Sequence, residues 1–293
     1  MIDELDSSFL RKRLSEIGVY IVRRLISDFI RLKKLPQSLT AVILLSMGSI
    51  AESQIFPQIN PRGDNVPDLA YDEGGEFNFV RVQFDTYYGQ GFGFGTWSID
   101  FPDADMNFLR GVSRLTNIRV MSEPIVLRID DEGIFDYPFL YMLEVGQAGG
   151  LVLDPAETEN LKEYLLRGGF LLIDDFWGQR QWDNFFAAFS QVFPDREIIE
   201  LEPDHEIFHV YYDIDGPQMI PALYRSDDFG EQGIDHASNH AILDDEGRVM
   251  VLINWNSDMG DGWEHTYHPA YPTRYANSAY RLGINYLMYS MTH

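Results

Sequence analysis

The stretch that decides the fold is GFLLIDDFWG, residues 169–178. Phe170 to Ile173 are continuously apolar, too short a run for a helix and without the polar alternation of a half-exposed strand. The stretch therefore reads as a strand buried on both faces, as in a parallel sheet. It ends in Asp174 and Asp175, at the edge where open α/β sheets place their ligand sites.

Upstream, LDPAETENLKEYLLRGG (153–169) carries the signals of a helix. Asp154 stands at the cap, Pro155 at the first helical position, acids follow in the first turn, and glycines stop it. YPFLYMLEV (137–145) is a second almost continuous apolar strand, and FNFVRVQF (77–84) an alternating one. Between them, DADMNFLRGVSRLT (103–116) places Met106, Leu109, Val112 and Leu115 on one helical stripe, and IRVMSEPIVLRI (118–129) predicts one or two short strands. Downstream come a helix over 179–193, a strand over 196–202, a strand over 248–256 and a closing helix over 275–293. Strands and helices in alternation imply an α/β fold with a mainly parallel sheet covered on both faces, three layers in all. Residues 77–293 read as one such domain, with a loop-rich insertion at about 211–247.

The 293 residues include 45% hydrophobic side chains, enough for a substantial core. There is no cysteine, which excludes disulfides, thiolate metal sites and a cysteine nucleophile. The net charge of -24 is unevenly placed: residues 1–37 hold eight Lys/Arg against five Asp/Glu, and the rest 14 against 41. So acidic a body repels nucleic acid and anionic membranes, and suits cations or basic partners.

The basic start leads into LTAVILLSMGSIA, residues 39–51, too short and interrupted for a comfortable membrane span. A positive flank, an apolar stretch and the small residues Ser49 and Ala51 read as a secretory signal, with a mature chain from near Glu52. The preceding residues form a basic amphipathic pattern that would serve as a membrane-surface helix or an uncleaved anchor. The expectation is an exported protein, periplasmic or extracellular, touching membrane only through residues 1–51, with 52–76 as a linker.

Six ordered blocks, DFPDADMNFLRG (100–111), YPFLYMLEVG (137–146), LLRGGFLLIDDFWG (165–178), FPDREIIELEPDHEIFH (193–209), MVLINWNSDMGDGWE (250–264) and SAYRLGINYLMYSMTH (278–293), resemble a bacterial family known as domain of unknown function 4159. The resemblance covers about residues 77–293. It implies export and a flavodoxin-like, class I glutamine amidotransferase-like fold, with no established reaction. Those amidotransferases use a cysteine on a sharp strand-to-helix turn, which this chain lacks, and no Gly-x-Ser-x-Gly elbow replaces it.

HEIFH, residues 205–209, matches the His-Glu-x-x-His pattern of zinc proteases. That chemistry needs both histidines on one continuous helix, and here Pro203 precedes and the β-rich VYYDI follows. The match reads as chance, with His205 capping a loop and His209 packed among aromatics; ligand contact is the alternative. Asp174 or Asp175 would be a general base, metal ligand or hydroxyl acceptor, only one of the two facing a crevice. Trp177 reads as a stacking platform or a core plug. Asp103 and Asp105, with Arg110 one turn on, read as helix-start charges or as ligand contacts. NWNSDMGDGWE (254–264) superficially resembles a calcium loop but departs from the spacing, and a turn explains its glycines. Trp255 and Trp263 would present a glycan or peptide surface. YYGQGFGFGTW (87–97) reads as a hairpin or a mobile aromatic-tipped loop.

The sequence thus predicts a non-catalytic binding or scaffold module for a protein or glycan partner, with no cofactor and no nucleic acid. The alternative is a carboxylate/histidine hydrolase, with Asp174, Asp175 and His205 as its catalytic candidates and a divalent cation as a possible aid. No metal is expected; the residues that would hold one are His205, His209, Asn256, Asp258 and Glu264.

Overall fold

The structure, a computed structural model, describes residues 75–89, 95–225 and 230–293. The expectations for the leader, for the linker up to residue 74 and for the glycine–aromatic tip at 90–94 fall outside these residues. Among the described residues no helix is long and apolar enough to cross a membrane.

The elements alternate as the apolar periods predict. β1 (Val80–Gln83) and β2 (Asp85–Thr86) lead to α1 (Asp103–Leu115), β3 (Ile125–Arg128), β4 (Phe139–Leu143) and β5 (Leu151–Val152). Then come α2 (Pro155–Leu166), β6 (Phe170–Phe176), α3 (Gly178–Phe189), β7 (Ile199–Glu200), β8 (Ser238–Leu243), β9 (Val249–Trp255), α4 (Met259–Glu264) and α5 (Thr273–Thr292). The start of α2 is a capping box: Asp154 accepts from Ala156 N and Glu157 N, and the Glu157 side chain reaches back to Asp154 N.

The seven-stranded sheet runs β3-β1-β4-β6-β9-β8-β7. β3, β1, β4, β6 and β9 pair in parallel, and β8 alone is reversed. Taken alone, the five parallel strands follow the flavodoxin-like order 2-1-3-4-5, whose switch point lies between β1 and β4. The strand interiors show why both faces are covered. Phe139, Tyr141, Phe170 and Leu172 pack with α1, α4 and α5 on one side. Leu140, Met142, Leu171 and Ile173 pack with α2 and α3 on the other. That is a three-layer α/β domain.

Three expectations need correction. The segment 211–247, read as a loop-rich insertion, supplies β8, whose isolated apolar pairs gave too little signal to separate from loop. The turn expected after β9 is the short helix α4, capped by Asp258. In β6, residues 174 and 175 do not simply alternate: the register with β9 slips between Ile173 and Phe176, and Asp175 sits at φ 49° in this bulge.

Near the switch point, Arg81 of β1 is wholly buried and pairs with Asp105 of α1, its Nε lying 3.0 Å from Oδ1 and its Nη2 meeting Oδ2. It also donates to the carbonyls of Trp97 and Ile99, at 3.3 and 3.0 Å. Asp105 is therefore a structural counterion for Arg81. Arg81→Met leaves Asp105 buried without a partner and should destabilise the full chain by about 3–5 kcal/mol in urea unfolding. Adding Asp105→Leu should recover most of that loss. A single variant as stable as wild type would refute the pairing's role.

Candidate functional site

The carboxyl ends of β4, β6 and β9 deliver carboxylates to one place, and four residues there adopt left-handed backbone: Asp100 (φ 62°), Glu144 (φ 56°), Asp175 (φ 49°) and Asn256 (φ 61°). Asp and Asn tolerate this conformation, whereas Glu144 has no such excuse. Residues so held cost on the order of 1–3 kcal/mol each and persist only when their surroundings fix them. Glu144 N donates to both Asp174 O and Asp175 O at 3.2 Å, and Asn256 N to Phe176 O at 3.0 Å. These bonds lock the strand ends together.

Asp174 is the tie at the centre. Its Oδ2 accepts from Tyr141 Oη of β4 at 2.8 Å and from the backbone N–H groups of Met259 and Gly260 at 2.9 and 3.2 Å. Its Oδ1 accepts from Asn254 Nδ2 of β9. Burial pushes its carboxyl up to about 6, while the Asn254 and Tyr141 bonds pull the other way. With its oxygens committed, Asp174 holds α4 in place.

Around that tie gather Asp100, Glu144, Asp175, Asp258, Asp261 and Glu264. Asp175 Oδ1 accepts from Trp177 Nε1 at 2.8 Å, and Asp258 caps α4 by accepting from Asp261 N at 2.7 Å. Asp261 Oδ2 accepts from Leu223 N at 2.6 Å. Glu144 lies in hydrogen-bonding reach of Asp175 and Gln147. Among the described residues, two oxygens of this cluster are shut off from solvent with no donor, Asp100 Oδ2 and Glu144 Oε2. Burial, and then the mutual repulsion of the carboxylates, raises Asp100, Asp175 and Asp258 well above the usual range. Burial and the charge of Glu231 lift Glu144 to about 8.

Positive charge at the cluster is scarce. Arg81 acts on Asp100 but is bonded to Asp105. His265 Nε2 lies 3.4 Å from both Asp261 Oδ1 and Glu264 Oε2. Burial lowers the His265 imidazole, and these carboxylates raise it further still, to a net increase. One oxygen from each of Asp100, Asp258 and Asp261 lies within 4.8 Å of the others, and Asp261, Glu264 and His265 form a second such group.

A profile of the family described as Domain of unknown function (DUF4159) matches residues 78–291. The chain belongs to the DUF4159 family. No curated protein matches it. Membership in DUF4159 brings no reaction, so the chemistry rests on the geometry above.

The residues singled out in the sequence divide cleanly. Asp174, Asp175, Asp258 and Glu264 come together at the carboxyl edge, with Asp103 exposed beside them, its charge reaching Glu264 and His265. His205 does not join them. Its ring lies 6.3 Å from Tyr289, whose hydroxyl accepts from Val249 N at the amino end of β9. HEIFH is a short 3-10 turn in which His205 Nδ1 accepts from Ile207 N at 3.2 Å. His209 is not among aromatics: it bonds Asp213 and the Pro203 carbonyl on the surface, which is where a polar ring finds partners. Arg110 donates to Asn107 at 2.9 Å, and Asn256 Oδ1 accepts from Gly178 N at 2.9 Å.

Trp177 is a core plug. Trp263, expected on a binding surface, is wholly buried against Phe108, Phe79 and Tyr141, because α4 turns it inward. Trp255 is half-buried between Trp182 and His240. Glu144, Glu231 and His265 went unread in the sequence. Glu144 had a signal, the acid closing the apolar run YPFLYMLEV, the same signal that marked Asp174.

A carboxyl whose folded pKa is raised from 4.5 to about 8 adds stability below its unfolded value and loses it as pH climbs to 8. Glu231 and Asp261 supply the charges that raise Glu144, while hydrogen bonds with Asp175 and Gln147 work the other way. In chelator-treated buffer, Glu144→Gln should melt with wild type at pH 5 and above it at pH 8, as read by differential scanning fluorimetry. A pH-independent difference would contradict this account of Glu144.

Proposed function

We propose that this domain is a cation-recognising binding module, whose carboxyl-edge acid cluster holds a positively charged group or ion and so engages a protein or glycan partner. One observation carries the reading: several carboxylates are enclosed together, and among the described residues only the His265 imidazole serves them as a dedicated counterion and two of their oxygens accept no bond. Buried charge of one sign is costly and must be balanced by protons or by a bound cation. Exposed aromatic rings at the same edge support a docking face. Tyr87 and Tyr88 are 73% and 75% exposed on backbone bonded to Gly150 and Ala148. Tyr224, 72% exposed, feels the charges of Asp175 and Asp258. The absence of a cysteine or a serine elbow in the chain favours binding over covalent catalysis. The basic and apolar residues 1–51 support a setting in the cell envelope.

Thermal melting of the full chain against metal chlorides, arginine and spermidine tests this directly. At least one cation should give a saturable stabilisation that Asp175→Asn weakens by tenfold or more in apparent Kd. A flat response to every cation would sink the proposal.

The contact between Glu144 and Asp175 favours a second reading, a hydrolase in which the two carboxyls share one proton and divide acid and base roles. In a screen of glycoside and ester substrates, that reading expects turnover lost by at least a hundredfold in both Glu144→Gln and Asp175→Asn. Turnover surviving in either variant would dismiss it.

A further inference from the structure

Within the acid cluster, the geometry points to a defined metal site: we propose that Asp100, Asp258 and Asp261 bind one hard divalent cation of the Ca2+ or Mg2+ class. This rests on the cation-binding reading above and names the ion.

The three carboxylates come from different parts of the chain. Asp100 precedes α1, Asp258 follows β9, and Asp261 lies in the first turn of α4. One oxygen from each lies within 4.8 Å of the others. Ligand oxygens at 2.0–2.6 Å from a common ion are at most about 5 Å apart, so the three fit one coordination shell.

Each ligand is also held. Asp258 is fixed by capping Asp261 N, and Asp261 by accepting from Leu223 N. Asp100 Oδ2 is different. Among the described residues it accepts from no donor, and it is shut off from solvent and abuts Gly260, while Glu264 stands in hydrogen-bonding reach of the same carboxyl group. Folded proteins rarely leave an enclosed oxygen in that condition, and a cation supplies what the missing donor does not.

The donor set chooses the ion. Three carboxylates and no nitrogen or sulfur suit calcium or magnesium rather than zinc or copper. The neighbouring group of Asp261, Glu264 and His265 does contain nitrogen, but there the imidazole already faces both carboxylates. His265 thus balances Asp261 and Glu264, and Asp100 and Asp258 meet at Asp261 with no imidazole of their own among the described residues. The ion would join the segment before α1 to the β9–α4 turn, two stretches whose like charges otherwise repel. Glu144 and Asp175 remain beside it for the partner.

The test uses the full chain, stripped with chelator and then titrated with CaCl2, MgCl2 or ZnCl2 by calorimetry and thermal melting. Calcium or magnesium should bind at one site per chain and raise Tm by roughly 5–10 °C at a hundredfold excess over Kd. Asp100→Asn and Asp258→Asn should abolish the metal-dependent rise. Their metal-free Tm should equal or exceed that of wild type, because each removes a repelling charge while asparagine keeps the Asp258 cap. That paired signature separates a metal ligand from a merely structural carboxylate.

No response of wild type to calcium or magnesium overturns the proposal, whatever the variants do. So does a rise that persists in Asp100→Asn, or a zinc-only response lost in His265→Gln. A response to arginine or spermidine without one to metals would remove the metal and leave the cation-binding module standing. Silence toward all of them would remove both.

Discussion

The carboxylate of Asp174 is the point on which the carboxyl edge depends. A single side chain on β6 binds the hydroxyl of Tyr141 on β4, the amide of Asn254 on β9 and two backbone donors at the start of α4. Three neighbouring strands and a helix are thereby fixed to one atom group. A carboxylate in an apolar sheet is expensive unless its oxygens are fully bonded, and here they are. Everything that faces the edge inherits its position from this tie.

The acid cluster follows from that arrangement. Fixing α4 against β6 places Asp258 and Asp261 over the strand ends, where the bulge at Asp175 and the turn at Glu144 have delivered two more carboxylates. Repulsion among these groups opposes the fold, and the backbone bonds from Glu144 and Asn256 keep it closed. A structure that encloses like charges and retains left-handed non-glycine residues at the same place has gained no stability from either. Such costs fit the proposed site for something of opposite sign.

Much of the fold was legible because burial leaves a periodic trace. The apolar runs at 137–143 and 170–173 read as strands covered on both sides, and Asp154-Pro155 announced α2. β8 was not legible, because a reversed strand that starts in polar residues and follows a long irregular segment carries no distinctive period. The site was half legible. Strand-end acids such as Asp174 and Asp175 can be found by position, but which of them is satisfied depends on partners 33 to 86 residues away in sequence. HEIFH shows the opposite case, a motif without its chemistry. The pattern is present, yet Pro203 before it and VYYDI after it already spoke against a helix, and its histidines belong to a short turn whose place near the amino edge shows only in the β9 and α5 contacts. The register slip that brings Asp175 to the same edge as Asp174 likewise has no sequence marker.

The most direct measurement of the central claim, that the carboxyl edge is built to hold a cation, is a crystal structure of the full chain grown with Mn2+ and phased for anomalous signal. Manganese shares the oxygen preference of calcium and magnesium and scatters anomalously. The account predicts one strong peak among Asp100, Asp258 and Asp261, bonded to an oxygen of each. Peaks confined to surface carboxylates, with the cluster closed by hydrogen-bonded carboxyl pairs, would contradict it.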